Sequence, residues 1–228
     1  MNNFPSQQEI VNSVIQGIKT AKYNYSNWTA DEIYLSYAPV KFLSIHVSQE
    51  IAKLDNAPEI FIDATVADIL RCSLAKRDGF RTFMKEKYLT PDVLCLTLDE
   101  RFEHKSDNDS VSRVIMSLKN GVRNVQEDYK GDVEKMCKMI DRKNAEDSSL
   151  DYGLFAFYLD ISNTARKKSE KRLSEIIESF DKIVNEYKYL KSHFVGGDIN
   201  KIENIGEWSV GCYVIEPIWS EDNRQISK

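Results

Sequence analysis

The sequence predicts an α/β protein with a central mixed sheet flanked by helices. Three observations predict it. Apolar residues recur at helical spacing in several separated segments, short runs rich in β-branched and aromatic residues lie between them, and the two kinds of segment interleave along the chain. At 228 residues and 42% hydrophobic content the chain can bury a real core, and neither an internal repeat nor a linker divides it.

Residues 5–25 place Ile10, Val14, Ile15 and Ile18 on one helical stripe, with Pro5-Ser6 as the start signal. A second amphipathic helix is expected over residues 39–54, ending at the Asn-Ala-Pro breaker of residues 56–58. "EIFIDATV" then reads as a short strand and "ADILRCSLAK" as a short helix. Residues 92–98 are nearly continuously apolar, as in a strand buried on both faces. After the polar connection "ERFEHKSDNDS", "VSRVIMSL" is the next strand, closed by Asn120-Gly121, a dipeptide suited to positive φ. Val133, Met136, Cys137 and Ile140 mark a helix over residues 132–143, and "YGLFAFYLDI" is the most strand-like run of all. A long charged helix is expected over residues 164–190, with Gly196-Gly197 as its stop; "WSVGCYVIEPI" is the last strand and the tail after Trp219 is polar.

A net charge of −5 and a pI near 5.4 argue against indiscriminate binding to nucleic acid, which needs clustered Lys and Arg in excess. The local basic stretch "ARKKSEKR" could contact phosphate, but Glu170, Glu175 and Glu178 interleave with it as on an ordinary solvated helix face. The four cysteines are far apart and form no C-x-x-C pair, so reduced thiols are expected. No signal-like start or membrane-length apolar run is present; a cytoplasmic protein without membrane contact is the expectation. The apolar and aromatic content of the first thirty or so residues suggests a homo-oligomeric pairing surface.

Phosphate-loop, G-x-S-x-G and H-E-x-x-H motifs are all missing from the sequence. His46, His104 and His193 stand alone and read as packing or surface residues. Trp28, Tyr34 and Tyr37 offer rings for base stacking, or for packing.

What remains is Pro91-Asp92 at the head of "VLCLTLD" and Ser117-Leu118-Lys119 at the end of "VIMS". In this order and on these strands the residues resemble the PD-(D/E)xK nuclease superfamily, whose core is a helix, three strands, a helix and a fourth strand. The resemblance spans residues 36–161. It implies a restriction-endonuclease-like core within an α/β domain over residues 36–228, preceded by a helical extension over residues 1–35. It further implies Mg²⁺ held by Asp92 and the Leu118 carbonyl, with Lys119 beside the attacking water.

Ser117 departs from the pattern, because it stands where a second carboxylate belongs and a hydroxyl is a poor ligand for a hard cation. Glu127, Asp128 and Asp132 lie shortly after it, and Glu50 and Asp63 before it, as positions from which a carboxylate could return. Each also has an ordinary reading as a solvated acid, those near a helix N-terminus being favoured there by the dipole. Asp92 could equally cap a turn after Pro91, and Lys119 could simply end a strand.

Three functions follow as expectations. The first is a nuclease-like chain with a degenerate, impaired site that binds a nucleic-acid or protein partner, in a setting such as microbial defence. The second is an active Mg²⁺-dependent nuclease with a relocated carboxylate. The third is an interaction or immunity protein with no nuclease ancestry.

Overall fold

The computed structural model describes residues 4–30, 34–100, 110–202 and 205–218. The expected polar tail after Trp219, and residues 101–109 with His104, lie outside the described residues. The first helix, α1 (Gln7–Trp28), is set by a capping box: Ser6 accepts from the Glu9 amide while the Glu9 carboxylate accepts from the Ser6 amide. Next come α2 (Val40–Ile51), β1 (Glu59–Ile62), α3 (Val66–Ser73), α4 (Phe80–Glu86), β2 (Leu96–Asp99) and β3 (Ser112–Lys119). The chain closes with α5 (Glu127–Ile140), β4 (Tyr152–Ser162), α6 (Ser169–Val184), β5 (Leu190–Gly196), β6 (Asn200–Ile202) and β7 (Gly206–Pro217).

The strands form one mixed seven-stranded sheet in the order β1-β2-β3-β4-β7-β5, with β6 also on β7. β3 and β4 are parallel, with Ser117 opposite Phe155 and Lys119 opposite Phe157; every other pairing is antiparallel. A parallel pair needs a crossover, and α5 supplies it. The side-chain alternation of the central strands sorts the core into two layers. Leu96, Val114, Met116, Leu154 and Tyr158 face α1 and α2. Ile115, Phe155, Phe157 and Tyr213 face the opposite layer, which includes α3, α5 and α6. Helix α1 lies directly on this sheet, with Ile10, Val14 and Ile18 fully buried beneath it.

Several expectations need correction. The long helix covers only Ser169–Val184, residues 185–189 form a turn and β5 follows from Leu190, so Gly196 and Gly197 (φ 95° and 92°) turn the chain out of a strand. In β2 the regular ladder covers only Leu96–Asp99; Asp63 at φ 60° disturbs its register, and the pairing continues irregularly through the Asp63 amide to the Cys95 carbonyl, the Leu94 amide to the Ala64 carbonyl and a Val93–Thr65 bridge. Helix α5 begins at Glu127, a turn earlier than its apolar spacing suggests. Helix α4 and strand β6 are too short to carry a period and have no counterpart in the sequence pattern. Gly121 does take positive φ (70°), and any Cβ there would lie 2.6 Å from the Ser36 Cβ.

Candidate functional site

The candidate site lies where β3 ends and α5 crosses over it. In β3, Ser117 and Lys119 share the face of Ile115, so both point into the layer that holds α5, while Leu118 points into the α1–α2 layer. Beyond Lys119 the strand end is pinned: the Asn120 side-chain amide donates to the carbonyls of Leu35 (2.7 Å) and Ala38 (2.8 Å). Helix α5 buries Tyr129, Val133, Met136, Cys137 and Ile140 against the sheet. Asp132 is three residues from Tyr129 and four from Met136, so it lies at the edge of that buried stripe with its carboxylate over β3.

Asp132 there accepts from the Ser117 hydroxyl at 2.7 Å and pairs with the Lys119 ammonium at 2.8 Å. The side chains of Lys119 and Asp132 are only 23% and 20% exposed, which puts their pairing in a partly desolvated setting where charge interactions outweigh those in water. The Lys119 ammonium also lies 5.7 Å from the Tyr129 ring centroid and 4.0 Å from the outer carboxylate of Asp128.

Asp92 arrives from the other side. It precedes the β2 ladder, and its carboxylate accepts from the Thr90 hydroxyl at 2.5 Å and pairs with Lys135 of α5. Lys135 sits one turn beyond Asp132, and the same ammonium is 3.8 Å from the Asp132 carboxylate. One cation therefore stands between the two acids. Burial pushes the Asp92 carboxyl up, but the hydrogen bonds from Lys135 and Thr90 outweigh it and hold the group below its ordinary value.

The structure thus brings Asp92, Ser117, Lys119, Asp128 and Asp132 into one chain of contacts. Other candidates are placed elsewhere. Glu127 is 89% exposed and paired with Lys130. Glu50 belongs to α2, on the opposite layer, where it meets Thr20 and Lys53. Asp63 pairs with Lys41 at 2.6 Å. Of the isolated histidines among the described residues, His46 is buried against Asn24 and the Phe42 carbonyl, and His193 is partly exposed, 3.6 Å from the Glu216 carboxylate. All four cysteines are free, and Cys137 and Cys212 are pushed up to about 12 by burial, which leaves them inert packing groups.

Motif order does not single out Lys135. Its signal was present in the i, i+3 spacing from Asp132, which places an acid and a base side by side on one helix face. Among the described residues no group of three or more His, Cys, Asp or Glu side chains could ligate one metal ion. The carboxylates that a Mg²⁺ ion would meet here are those of Asp92 and Asp132. The Lys135 ammonium stands between these two acids and pairs with both. No family model, curated protein or solved structure matches the chain.

Proposed function

We propose that the chain is a Mg²⁺-dependent phosphodiesterase acting on nucleic acid, with its second acidic ligand carried by α5 instead of β3. The observation that carries this reading is the position of Asp132: its carboxylate covers Ser117, the residue that breaks the motif, and touches Lys119 at 2.8 Å. The element order α2-β1-β2-β3-α5-β4 supports it as well, being the helix, three strands, helix and strand that the resemblance implies, with α3 and α4 inserted between β1 and β2.

Asp92 and Asp132 hold the cation in this reading, and Lys119 orients the attacking water and balances charge that develops on the phosphoryl oxygens. When bound, Mg²⁺ supplies polarisation of the phosphate and a lowered pKa for coordinated water. Ser117 keeps the Asp132 carboxylate turned toward the strand by donating to it.

The test is cleavage of plasmid, single-stranded DNA and RNA in Mg²⁺ or Mn²⁺ against an EDTA control. Asp92→Asn, Asp132→Asn and Lys119→Ala each lower the rate on the order of a thousandfold or more, whereas Ser117→Ala has a small effect. Full activity in Asp132→Asn, or none in the wild type with either metal, overturns the reading.

The Lys135 ammonium between the acids favours a second reading, in which the site is internally neutralised and the chain only binds its nucleic-acid or protein partner. Metal-independent nucleic-acid binding without cleavage, unchanged in Asp132→Asn, is the outcome that selects it.

A further inference from the structure

Arg123 has no part in the chemistry described above. It follows the pinned end of β3, where the Val122 amide donates to the Tyr158 carbonyl at 2.9 Å and Val122 itself is fully buried. From there Arg123 Nε donates to the Asp160 carboxylate at 2.7 Å and Nη2 to the Ser36 hydroxyl at 3.1 Å. Asp160 is 1% exposed, Arg123 is the one cation paired with it among the described residues, and its second oxygen has no hydrogen-bond partner there. A buried carboxylate is costly to keep ionised, and what this one achieves is to fix the plane of a single guanidinium. The hydrogen bond to Asp160 outweighs burial and holds that guanidinium above its ordinary pKa, with the nearby Tyr37 and Tyr34 hydroxyls adding to the effect. A guanidinium carries five N–H donors; two are used inside the fold, which leaves three on a side chain that is 50% exposed.

Tyr37 stands beside this fork. It ends the short 3-10 turn Leu35–Tyr37 and is 70% exposed. The same turn is tied to β3 by Asn120, through the Leu35 carbonyl, and to Arg123 by Ser36, so ring and fork keep one spacing. On its other side the guanidinium lies within charge range of the Tyr129 hydroxyl, whose ring faces the Lys119 ammonium at 5.7 Å. An exposed ring beside an oriented cation suits a single strand of nucleic acid, whose unpaired bases stack on rings while its phosphates meet cations. A duplex hides its base faces.

We propose that Arg123 and Tyr37 form a binding subsite for single-stranded nucleic acid, Arg123 taking a phosphate and Tyr37 stacking a base, beside the end of β3 that carries Lys119. The inference rests on the nucleic-acid reading for the class of its ligand, but it needs neither metal nor cleavage. Asp160 and Ser36 are positioning residues that present the free side of the fork. At a net charge of −5 the whole chain offers little long-range attraction, so affinity depends on these local contacts.

The experiment is fluorescence anisotropy of the full chain in EDTA over a series of NaCl concentrations, with labelled oligo(dT), oligo(U) and oligo(dT) annealed to oligo(dA). The wild type binds the single strands more tightly than the duplex. Tyr37→Ala weakens single-strand binding about tenfold, and Tyr37→Phe, which keeps the ring, recovers it. Arg123→Gln weakens binding and flattens the slope of log affinity against log salt by about 0.7, as expected for one phosphate contact on a single strand. A purely structural role for Arg123 does not move that slope. Melting curves check folding, and because Tyr37 is exposed, Tyr37→Ala tests the inference even if Arg123→Gln strands Asp160 and unfolds. Unchanged affinity in Tyr37→Ala, an unchanged salt slope in folded Arg123→Gln, equal affinity for the duplex, or no binding of either single strand by the wild type overturns the inference. The expected losses of binding together with no cleavage in Mg²⁺ or Mn²⁺ support it and remove the phosphodiesterase reading alone.

Discussion

Asp132→Asn removes one charge and no volume, which makes it the sharpest probe of the cluster. In the wild type the Asp132 carboxylate takes a hydroxyl at 2.7 Å and an ammonium at 2.8 Å, with a second ammonium at 3.8 Å. Hydrogen bonds to a charged group are worth about 1.5–3 kcal/mol each, and removing one partner of a mostly buried ion pair leaves the other charge uncompensated. Since both side chains keep about a fifth of their exposure, water recovers part of that loss, and the expected destabilisation without metal is about 2–3 kcal/mol. The response to metal separates a purely structural ion pair from a ligand. At free Mg²⁺ about ten times the dissociation constant, a site present only in the folded state adds about 1.4 kcal/mol of stability. Urea denaturation with and without MgCl₂, at ionic strength matched with NaCl, measures both quantities. The wild type gains the metal increment and Asp132→Asn gains none. If both chains gain equally, the ion acts somewhere other than Asp132 and the reasoning fails.

Moving the carboxylate back onto the strand tests the relocation directly. Ser117→Asp alone brings a second acid to hydrogen-bond distance of Asp132 and costs about 1–3 kcal/mol in the metal-free chain, whereas Ser117→Asp with Asp132→Ser restores the metal-dependent stabilisation that Asp132→Ser alone loses, as read by the same denaturation curves. Asp92 is held below its ordinary pKa, so it contributes stability above the usual range near 4 that is lost as pH falls through its folded value; Asp92→Asn flattens the acid limb of a plot of melting temperature against pH. Far from the site, a Cβ on Gly17 would lie 2.5 Å from the Val47 Cα, backbone that cannot turn aside. Gly17→Ala forces α1 and α2 apart and costs about 1–3 kcal/mol, seen as a lower denaturation midpoint with cleavage activity retained at low temperature.

The sheet was legible where the pattern was long or strongly apolar. The ten-residue run "YGLFAFYLDI" becomes β4, and "VSRVIMSL" becomes β3 with its alternation intact, because Val114 and Met116 serve one layer and Ile115 the other. Strand β5 was not legible. No Pro or Gly separates it from α6, and Tyr187, Leu190 and Phe194 continue a helical spacing as readily as they begin an alternating one. The site divides in the same way. Asp92 and Lys119 were named from motif order, but choosing among Glu127, Asp128 and Asp132 depends on how α5 is rotated over β3. Tertiary packing decides that rotation: once Tyr129, Val133 and Met136 are buried, Glu127 points outward and Asp132 inward. The order of residues alone does not carry that phase.

A carboxylate on β3 would be held by the ladder to β4, whereas one on α5 is held only by the docking of a helix. Val133, Met136 and Ile140 are fully buried beneath α5 in one core cluster with Phe155, and the Tyr129 ring meets Phe155 edge-on, which provides that docking. The parallel pairing of β3 with β4 makes α5 obligatory as the crossover, so the helix cannot leave without disrupting the centre of the sheet. Relocating the acid therefore ties the geometry of the site to the packing of one core layer. The Lys119–Asp132 and Lys135–Asp92 pairs act across the same seam from opposite sides, each joining α5 to the strand region beneath it. Removing both from α5 would leave the helix attached chiefly by its apolar stripe, with Asp128 and the Tyr129 ring still near Lys119. That stripe fixes the height of α5 above the sheet, but charge pairs of defined direction are better suited to fix its rotation, and rotation is what brings Asp132 to Ser117.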